Sequence, residues 1–251
     1  MPTSLIFTLP LASRAQTLPE NCVPALHATF FQWLERGDAE MARRAHDERD
    51  PKPYTVSPLI VNDAQTAHFR ITLLDDALLP ALQTGIAQMP TVRIAWATLE
   101  LADAPRLTQK SYAQIANAAN ETPTITLRFD SPTSFRSHDM HYPLPDPVMV
   151  FASYLARWNA FAPEQLQIAD AWLEWLQASV AVTRFDLQSR VIQFKDFVQI
   201  GFVGTVQYSV MKSQIDRGGI APLNALATFA EFCGTGHKTT QGMGQTRRLR
   251  E

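Results

Sequence analysis

Four of the ten glycines of this 251-residue chain lie close together near its C-terminal end. They are Gly234, Gly236, Gly242 and Gly244, in the stretch Cys233-Gly-Thr-Gly-His-Lys-Thr-Thr-Gln-Gly-Met-Gly244. Glycine accepts positive φ and lets the backbone approach other groups closely, so such a cluster indicates a loop of special shape. Apolar residues recur at helical spacing from Leu223 to Phe232 just before it. The fold must therefore lead a helix directly into a tightly bent loop.

This glycine loop matches neither of the common phosphate-binding fingerprints. It contains no Gly-x-Gly-x-x-Gly and no Gly-Lys-Ser/Thr, and it follows a helix instead of a strand. From Gly234 to Arg250 the chain carries basic residues and no acids. Exposed amides with basic neighbours suit a phosphate-bearing partner, whereas a purely structural turn would need the same glycines. Spacing alone leaves both interpretations open.

Composition restricts the class of protein. The formal net charge is −2, so nucleic-acid binding would have to depend on local basic patches. Cys22 and Cys233 are far apart and form no Cys-x-x-Cys, which favours a reducing cytoplasm over a disulfide framework or zinc ribbon. The apolar run from Met1 to Leu11 lacks a basic leader, and we interpret it as a first strand. We predict a cytoplasmic protein with no membrane partner.

Hydrophobic periodicity predicts the element order β-α-β-β-α-β for residues 1–120, which is the ferredoxin-like signature. The predicted strands are Ser4–Leu11, Tyr54–Ile60, Ala67–Leu74 and Thr91–Leu101; the helices are 23–37, a short Ala39–Ala45, and one from Asp75 or Asp76 to Ala87. After a short helix near Ser111–Ala119, the same order approximately repeats.

The second half carries predicted strands at Thr124–Phe129, Val180–Leu187, Val191–Phe194, Gln199–Met211 and Met243–Leu249, and predicted helices at Val148–Phe161, Pro163–Leu176 and Leu223–Phe232. We therefore predict an α+β chain of two tandem ferredoxin-like (RRM-like) βαββαβ domains. Residues 1–120 form the N-terminal domain, and residues 121–251 form the C-terminal domain with the glycine loop.

Several stretches in order carry a family resemblance: Leu127-Arg-Phe-Asp-Ser-Pro-Thr-Ser-Phe-Arg136, Tyr142-Pro-Leu-Pro-Asp-Pro147, Leu155-Ala-Arg-Trp-Asn-Ala-Phe161, Gly201-Phe-Val-Gly204 and the glycine loop, with a looser match at Ala45-His46-Asp47 and Lys52-Pro-Tyr-Thr-Val-Ser-Pro58. Together they resemble the CRISPR-associated endoribonucleases that cut precursor CRISPR RNA within its repeats, in the repeat-associated (RAMP) superfamily. The resemblance implies metal-independent cleavage without a cofactor, in which the 2′-OH attacks the scissile phosphate and leaves a cyclic phosphate and a 5′-OH.

The resemblance places a catalytic histidine after the first long helix, and His46 matches that position. Histidine titrates near neutral pH and so suits proton transfer, although a solvated, charge-balanced turn would explain His46 as well. Lys52 would bind the scissile phosphate, or would simply be solvated. Some relatives carry a helix tyrosine where this chain has Phe30 and Phe31. His27 would substitute for it, or would pack beside the apolar face, and Tyr54 is a further candidate donor.

RNA contacts implied by the resemblance involve the glycine loop and basic side chains. The predicted RNA-binding residues are Arg43, Arg44, Arg136, Gly234, Gly236, His237, Lys238, Gly242, Gly244, Arg247 and Arg248, with loop amides on phosphates. Lys195, Lys212 and Arg217 would extend the basic face. Phosphate contacts hold RNA without specifying its sequence.

Two other features are interpreted structurally. The run His138-Asp139-Met140-His141 lacks the three or four converging ligands of a metal site, so we predict a loop and no metal. Trp158, Trp172 and Trp175 have apolar companions on helices and are predicted to be core residues.

Two other functions remain as alternatives. One is a non-catalytic RNA-binding subunit of a CRISPR effector complex, which the phenylalanines in place of the helix tyrosine favour. The other is a protein that binds some other phosphate ligand. The expected partners are CRISPR repeat RNA and effector-complex subunits, with the chain itself a monomer or homodimer.

Overall fold

A computed structural model describes residues 1–11, 18–19, 21–63, 65–118, 122–138, 140–211 and 217–249. The chain is α+β, and its described strand pairs are antiparallel. It divides into two compact units, Met1–Gln109 with Thr240–Gly242 and Lys110–Thr239 with Met243–Glu251. Over the described ranges, no helix has both the length and the apolar character needed to cross a membrane.

The first unit contains seven strands and three helices within its described residues: β1 Thr3–Pro10, α1 Val23–Gly37, α2 Ala39–Asp47, β2 Tyr54–Val56, β3 Ile60–Val61, β4 Thr66–Leu73, α3 Leu78–Gln88, β5 Thr91–Ile94, β6 Ala97–Glu100 and β7 Arg106–Gln109. The main sheet has the strand order β2-β4-β1-β7, and β3 also pairs with β4. β5 and β6 form a separate hairpin.

The core of the first unit follows directly from residue spacing. Alternate residues of β1 are buried, among them Phe7, whose ring stacks on Phe69 of β4 at 4.8 Å and on Trp33 of α1 at 5.0 Å. Pro24 occupies the first turn of α1, where its missing N–H costs nothing. Asp38 caps α2 by accepting from the Met41 amide at 2.9 Å. The stacked rings fix α1 against β1 and β4, and the Asp38 cap starts α2 directly after α1.

Two predicted strands of the first unit were wrong in extent. Tyr54–Ile60 is strand only to Val56, and Ile60 starts the separate β3. Thr91–Leu101 is a hairpin that turns at Ala95-Trp96, and the strand that pairs with β1 on the side opposite β4 is the unpredicted β7. Three of the four residues of β7 are exposed, so it gives no apolar alternation for sequence analysis to detect.

The second unit contains these elements: α4 Tyr112–Asn117, β8 Thr124–Thr133, β9 Phe135–Ser137, β10 Met140–Tyr142, α5 Pro147–Phe161, a 3₁₀ turn Glu164–Leu166, α6 Trp172–Ser179, β11 Val180–Gln193, β12 Val198–Val210, α7 Arg217–Cys233 and β13 Thr246–Leu249. A further 3₁₀ turn, Thr239–Gln241, crosses the boundary, since Thr239 belongs to the second unit and residues 240–241 to the first. The main sheet of the second unit has the order β11-β12-β8-β13, while β9 and β10 form a hairpin.

The aromatic core of the second unit lies between this sheet and its helices. Trp158 of α5 contacts Phe229 of α7 at 5.3 Å and Tyr112 of α4 at 5.1 Å between ring centroids. Trp158 and Trp172 are buried, as predicted. Trp175 is only half-buried and stacks on Trp172 at 6.1 Å.

Several boundaries in the second unit also differ from prediction. Val180–Leu187 and Val191–Phe194 belong to one long strand, β11, because pairing with β12 continues across the polar residues between them. The predicted helix Pro163–Leu176 is a 3₁₀ turn followed by irregular chain, and α6 begins only at Trp172. The proline-rich stretch predicted as a loop contains the β9–β10 hairpin, and the last strand starts at Thr246 instead of Met243.

Candidate active site

An aromatic cluster in the first unit brings two histidines together. His27 projects from α1 and His46 from the last turn of α2, and both contact the ring of Phe31 edge to face, at 5.0 Å and 5.4 Å between centroids. Tyr54, the first residue of β2, lies 5.6 Å from the same ring. Its hydroxyl oxygen is 3.0 Å from Nε2 of His27. Four residues from three elements thus form one cluster.

Lys52 fixes the chain that carries His46. Its ammonium group donates to the carbonyl oxygen of His46 at 2.6 Å and also to the carbonyl oxygen of Glu48. These carbonyls lie at the C-terminal end of α2, where a cation is favourable. The imidazole of His46 is 70% exposed, with Nδ1 3.0 Å from the carboxylate of Asp47. The histidine therefore faces solvent from a tethered turn.

The environment keeps His27 neutral. Burial lowers its pKa below the ordinary value, and the nearby charges of His46 and Lys52 lower it further. Burial also raises the pKa of the Tyr54 hydroxyl, assisted by the charge of Asp50, so the phenol keeps its proton. The site consequently holds the neutral imidazole of His27, the exposed imidazole of His46 and the ammonium group of Lys52.

This arrangement brings together the three residues predicted to be catalytic, His46, Lys52 and His27. Such groups can remove a proton, supply a proton and stabilise negative charge. Arg43 and Arg44 are exposed on the same helix as His46, and Arg43 lies 3.8 Å from Glu40. Across the residues that can be described, no group of three or more His, Cys, Asp or Glu side chains is arranged to hold a metal ion.

The glycine loop is a buried turn whose backbone is hydrogen-bonded within the chain. All four glycines have positive φ, between 65° and 84°. A Cβ on Gly236 would lie 2.3 Å from the Ser134 carbonyl oxygen, and one on Gly244 would lie 2.0 Å from that of Thr235. The shape of the loop therefore requires glycine at both positions.

The amide groups of this loop are already used within the chain. Those of Gly234, Gly236, Gly242 and Gly244 donate to Ala230, the Ser153 hydroxyl, Val56 and Pro132 respectively. The carbonyl of Gly236 accepts from the Arg157 guanidinium at 2.6 Å. The expectation that these amides bind phosphate does not agree with this geometry, because each already has an acceptor. Arg157 lies in one of the motifs that carried the resemblance, but its role was missed.

His237 is locked by a buried glutamine that sequence analysis did not identify. The Ser134 carbonyl can only accept, so the 3.2 Å contact assigns the proton to Nδ1 of His237. Nε2 then accepts from the Gln199 amide at 2.8 Å. Burial lowers the pKa of His237 to about 4, with smaller contributions from His141, Lys238 and Arg136 against the raising effect of the Ser134 bond. The ring is neutral and stacks on His141 at 5.1 Å.

Lys238 is held by aromatic rings. Its ammonium lies 5.0 Å and 4.7 Å from the ring centroids of Phe194 and Phe197, which stack on each other near the turn between β11 and β12. Burial lowers the Lys238 pKa, and the charge of Arg136 lowers it further. Arg136 is exposed on β9. Lys238 and Arg136 thus form a basic pair beside His237.

The two arginines of β13 point to opposite faces of the sheet. Arg247 is exposed and pairs with Asp130 at 3.1 Å. Arg248 is half-buried, and its guanidinium donates to the carbonyl and side-chain oxygens of Asn224 on α7, the shorter contact being 2.6 Å. Strand alternation explains this difference. Arg248 binds the helix, which the sequence prediction of an RNA contact did not anticipate.

Asp139, Lys212 and Arg250 lie outside the described residues, and the side chain of Arg217 is not described. His138 occupies the turn between β9 and β10, next to Ser137.

Comparison with known proteins identifies the class of RNA-processing enzyme that this chain resembles. Residues 127–246 match the family model "CRISPR-associated endoribonuclease Cas6". A Cas6 endoribonuclease of Streptococcus thermophilus is 20% identical over 84% of this chain and 86% of its own length. A Cas6 endoribonuclease of Mycobacterium tuberculosis is 29% identical over 74% of this chain, and the match spans about half of that relative, 52%.

Solved structures agree with these sequence matches. A Cas6 product complex superimposes with a TM-score of 0.87 at 24% identity, covering 99% of both chains. A Thermus thermophilus Cas6 superimposes with a TM-score of 0.75 at 25% identity, covering 99% of this chain and 98% of that one. The chain is thus similar to the CRISPR-associated endoribonucleases called Cas6, in sequence over residues 127–246 and in fold over nearly its whole length. The resemblance predicted from the sequence motifs is confirmed.

Proposed function

We propose that this chain is an endoribonuclease that cleaves precursor CRISPR RNA within its repeats without a metal ion, giving mature CRISPR RNA with a cyclic phosphate end. The observation that carries this proposal is the cluster of His27, Phe31, His46 and Tyr54, with Lys52 bound to the His46 carbonyl. It supplies two imidazoles and a cation on the surface of one unit. The relatives named above are Cas6 endoribonucleases.

The proposed fold is a pair of tandem ferredoxin-like domains. The strand order β2-β4-β1-β7 in the first unit and β11-β12-β8-β13 in the second support it, because each is an antiparallel sheet with the first and third main strands in the middle. In each unit, the strands alternate with helices in the β-α-β-β-α-β sense. The additional hairpins β5–β6 and β9–β10 are insertions into that plan.

In the proposed mechanism one histidine removes the proton of the ribose 2′-OH, and the oxygen forms a bond to phosphorus. The other histidine gives a proton to the 5′-oxygen as its bond to phosphorus breaks. Positive charge of Lys52 stabilises the phosphorane oxygens, because the carbonyls of the α2 end use only part of its donor capacity. Arg43, Arg44, Arg136, Lys238 and Arg247 contribute phosphate contacts that hold the RNA.

The test is cleavage of a labelled CRISPR repeat RNA in EDTA by the wild type and by His46→Ala. The wild type is expected to cut at one site, and His46→Ala should bind the RNA normally but cut at least about 100-fold more slowly. A substrate with 2′-deoxyribose at the cut site should remain intact. Arg49→Ala, a change of an exposed residue in the same turn, is the matched control.

The same experiment tests the main alternative, a non-catalytic RNA-binding subunit of a CRISPR effector complex. Phe31 favours this alternative, since it cannot transfer a proton where some relatives are expected to carry tyrosine. Tight repeat binding by the wild type without any cleavage would establish it. Cleavage that survives His46→Ala would instead refute the role of His46 and direct attention to His27.

A further inference from the structure

Tyr54 is a buried polar side chain whose hydroxyl contacts His27. We propose that Tyr54 is a positioning residue: its hydroxyl oxygen accepts a hydrogen bond from Nε2–H of His27, so that Nδ1 is the ring atom that takes a proton from the RNA. This inference rests on the proposed function. It goes further by assigning the role of base to His27 and that of acid to His46. It also accounts for how a site with Phe31 on the helix obtains a tyrosine hydroxyl from a strand.

The geometry fixes the phenol firmly. Tyr54 is only 2% exposed, and its ring stacks on Phe30 at 4.4 Å and meets Phe31 edge to face. Its backbone pairs with Leu73 in the main sheet. The hydroxyl therefore has little freedom, and burial keeps it from reaching the RNA itself. It acts only through the 3.0 Å contact with His27.

The direction of this hydrogen bond follows from the requirements of proton transfer. A proton can enter and leave Nδ1 while the Tyr54 contact persists only if Nε2 keeps its own hydrogen throughout. If the phenol donated to Nε2 instead, the neutral ring would carry its hydrogen on Nδ1 and would have no free lone pair for the RNA. In the proposed step, the 2′-OH proton passes to Nδ1, the 2′-oxygen bonds to phosphorus, the bond from phosphorus to the 5′-oxygen breaks, and that oxygen takes a proton from His46.

The surrounding charges suit a base that is neutral before reaction. His46 from α2 and Lys52 from the following turn face His27 and lower its pKa, while Asp50 influences Tyr54. A neutral ring has a lone pair at working pH. The acceptor oxygen of Tyr54 then stabilises the imidazolium that forms once the proton has been taken.

The experiment is Tyr54→Phe, which keeps the ring packing and removes the hydroxyl. Single-turnover cleavage should slow by about 10- to 100-fold with repeat affinity unchanged, because the ring is no longer held in register. The acid limb of the pH–rate profile should move to lower pH, since imidazolium loses an acceptor. In the wild type, ¹⁵N NMR should find the neutral His27 ring with hydrogen on Nε2.

Three outcomes would overturn the proposal: an acid limb that moves to higher pH, a neutral His27 with hydrogen on Nδ1, or an unchanged cleavage rate. Tyr208→Phe is the matched control. It removes another buried hydroxyl, which donates to the Pro145 carbonyl at 3.1 Å in the second unit, and it should leave the profile unchanged. If the wild type fails to cleave at all, the proposed function fails. If the wild type cleaves and Tyr54→Phe behaves like it, only the role of Tyr54 fails.

Discussion

Replacing Gly244 by alanine should destabilise the second unit severely. Gly244 has φ near 70°, and a Cβ there would lie 2.0 Å from the Thr235 carbonyl oxygen. An L-residue in the left-handed region costs about 1–2 kcal/mol, and forcing a methyl group into packed backbone costs about 1–3 kcal/mol. Moving the chain apart would weaken two backbone bonds, Thr235 to Gly244 at 2.8 Å and Gly244 to Pro132 at 3.0 Å. Each contributes about 1 kcal/mol.

Together these terms predict a loss of about 4–7 kcal/mol in the free energy of unfolding, a large part of the stability of an ordinary domain. Urea unfolding followed by tryptophan fluorescence measures it, since Trp158 and Trp172 are buried in the same unit. Gln241→Ala, a change of an exposed residue in the same loop, is the control and should alter stability by less than about 0.5 kcal/mol. A Gly244→Ala variant as stable as this control would refute the description of the loop as a tightly packed turn held by backbone hydrogen bonds.

Three further predictions concern charged and titrating groups. The pKa of His237 is lowered in the folded state, so its contribution to stability is fully present above about pH 6.5 and is lost as pH falls toward about 4. The free energy of unfolding, measured over that pH range, should depend less on pH in His237→Gln than in the wild type. Arg247→Gln should weaken repeat-RNA binding and reduce the salt slope by about 1, with stability unchanged. The neighbouring change Arg248→Gln should instead lower the free energy of unfolding by about 1.5–3 kcal/mol, because it removes the hydrogen bonds to Asn224. The salt dependence of RNA binding should stay the same in this variant. Equal salt slopes for the two arginine variants would contradict this division.

The sequence predicted those parts of the fold in which local pattern and tertiary burial agree. α1 and β1 were predicted within one residue of their observed ends because their apolar spacing is also their core face. The β5–β6 hairpin was not predicted, since its turn places Ala95 at φ 52° without a glycine or asparagine to indicate it. The polar residues within β11 concealed its length, because pairing with β12 and not burial maintains that strand.

The candidate site divides in a similar way. His46, His27 and Lys52 could be proposed from residue type, order and the family resemblance, and the structure places them together. The contacts that define their chemistry lie far apart in sequence, such as Tyr54 with His27 and Gln199 with His237. Arg247 and Arg248 differ because only one side of the sheet faces α7. Two adjacent arginines give no indication in the sequence of which one lies on that side.

The phenyl ring of Phe31 contacts both imidazoles, and this has a consequence for the proposed catalytic cycle. Phe31 meets His27 and His46 edge to face and offers neither a lone pair nor an acidic hydrogen. A proton gained by one histidine therefore cannot pass to the other through this ring. After each cut in the proposed mechanism the two rings hold reversed protonation states, and each must exchange with bulk water before the next RNA can be cut. Recovery of the enzyme is then a step separate from cleavage, with its own solvent isotope effect and its own dependence on buffer.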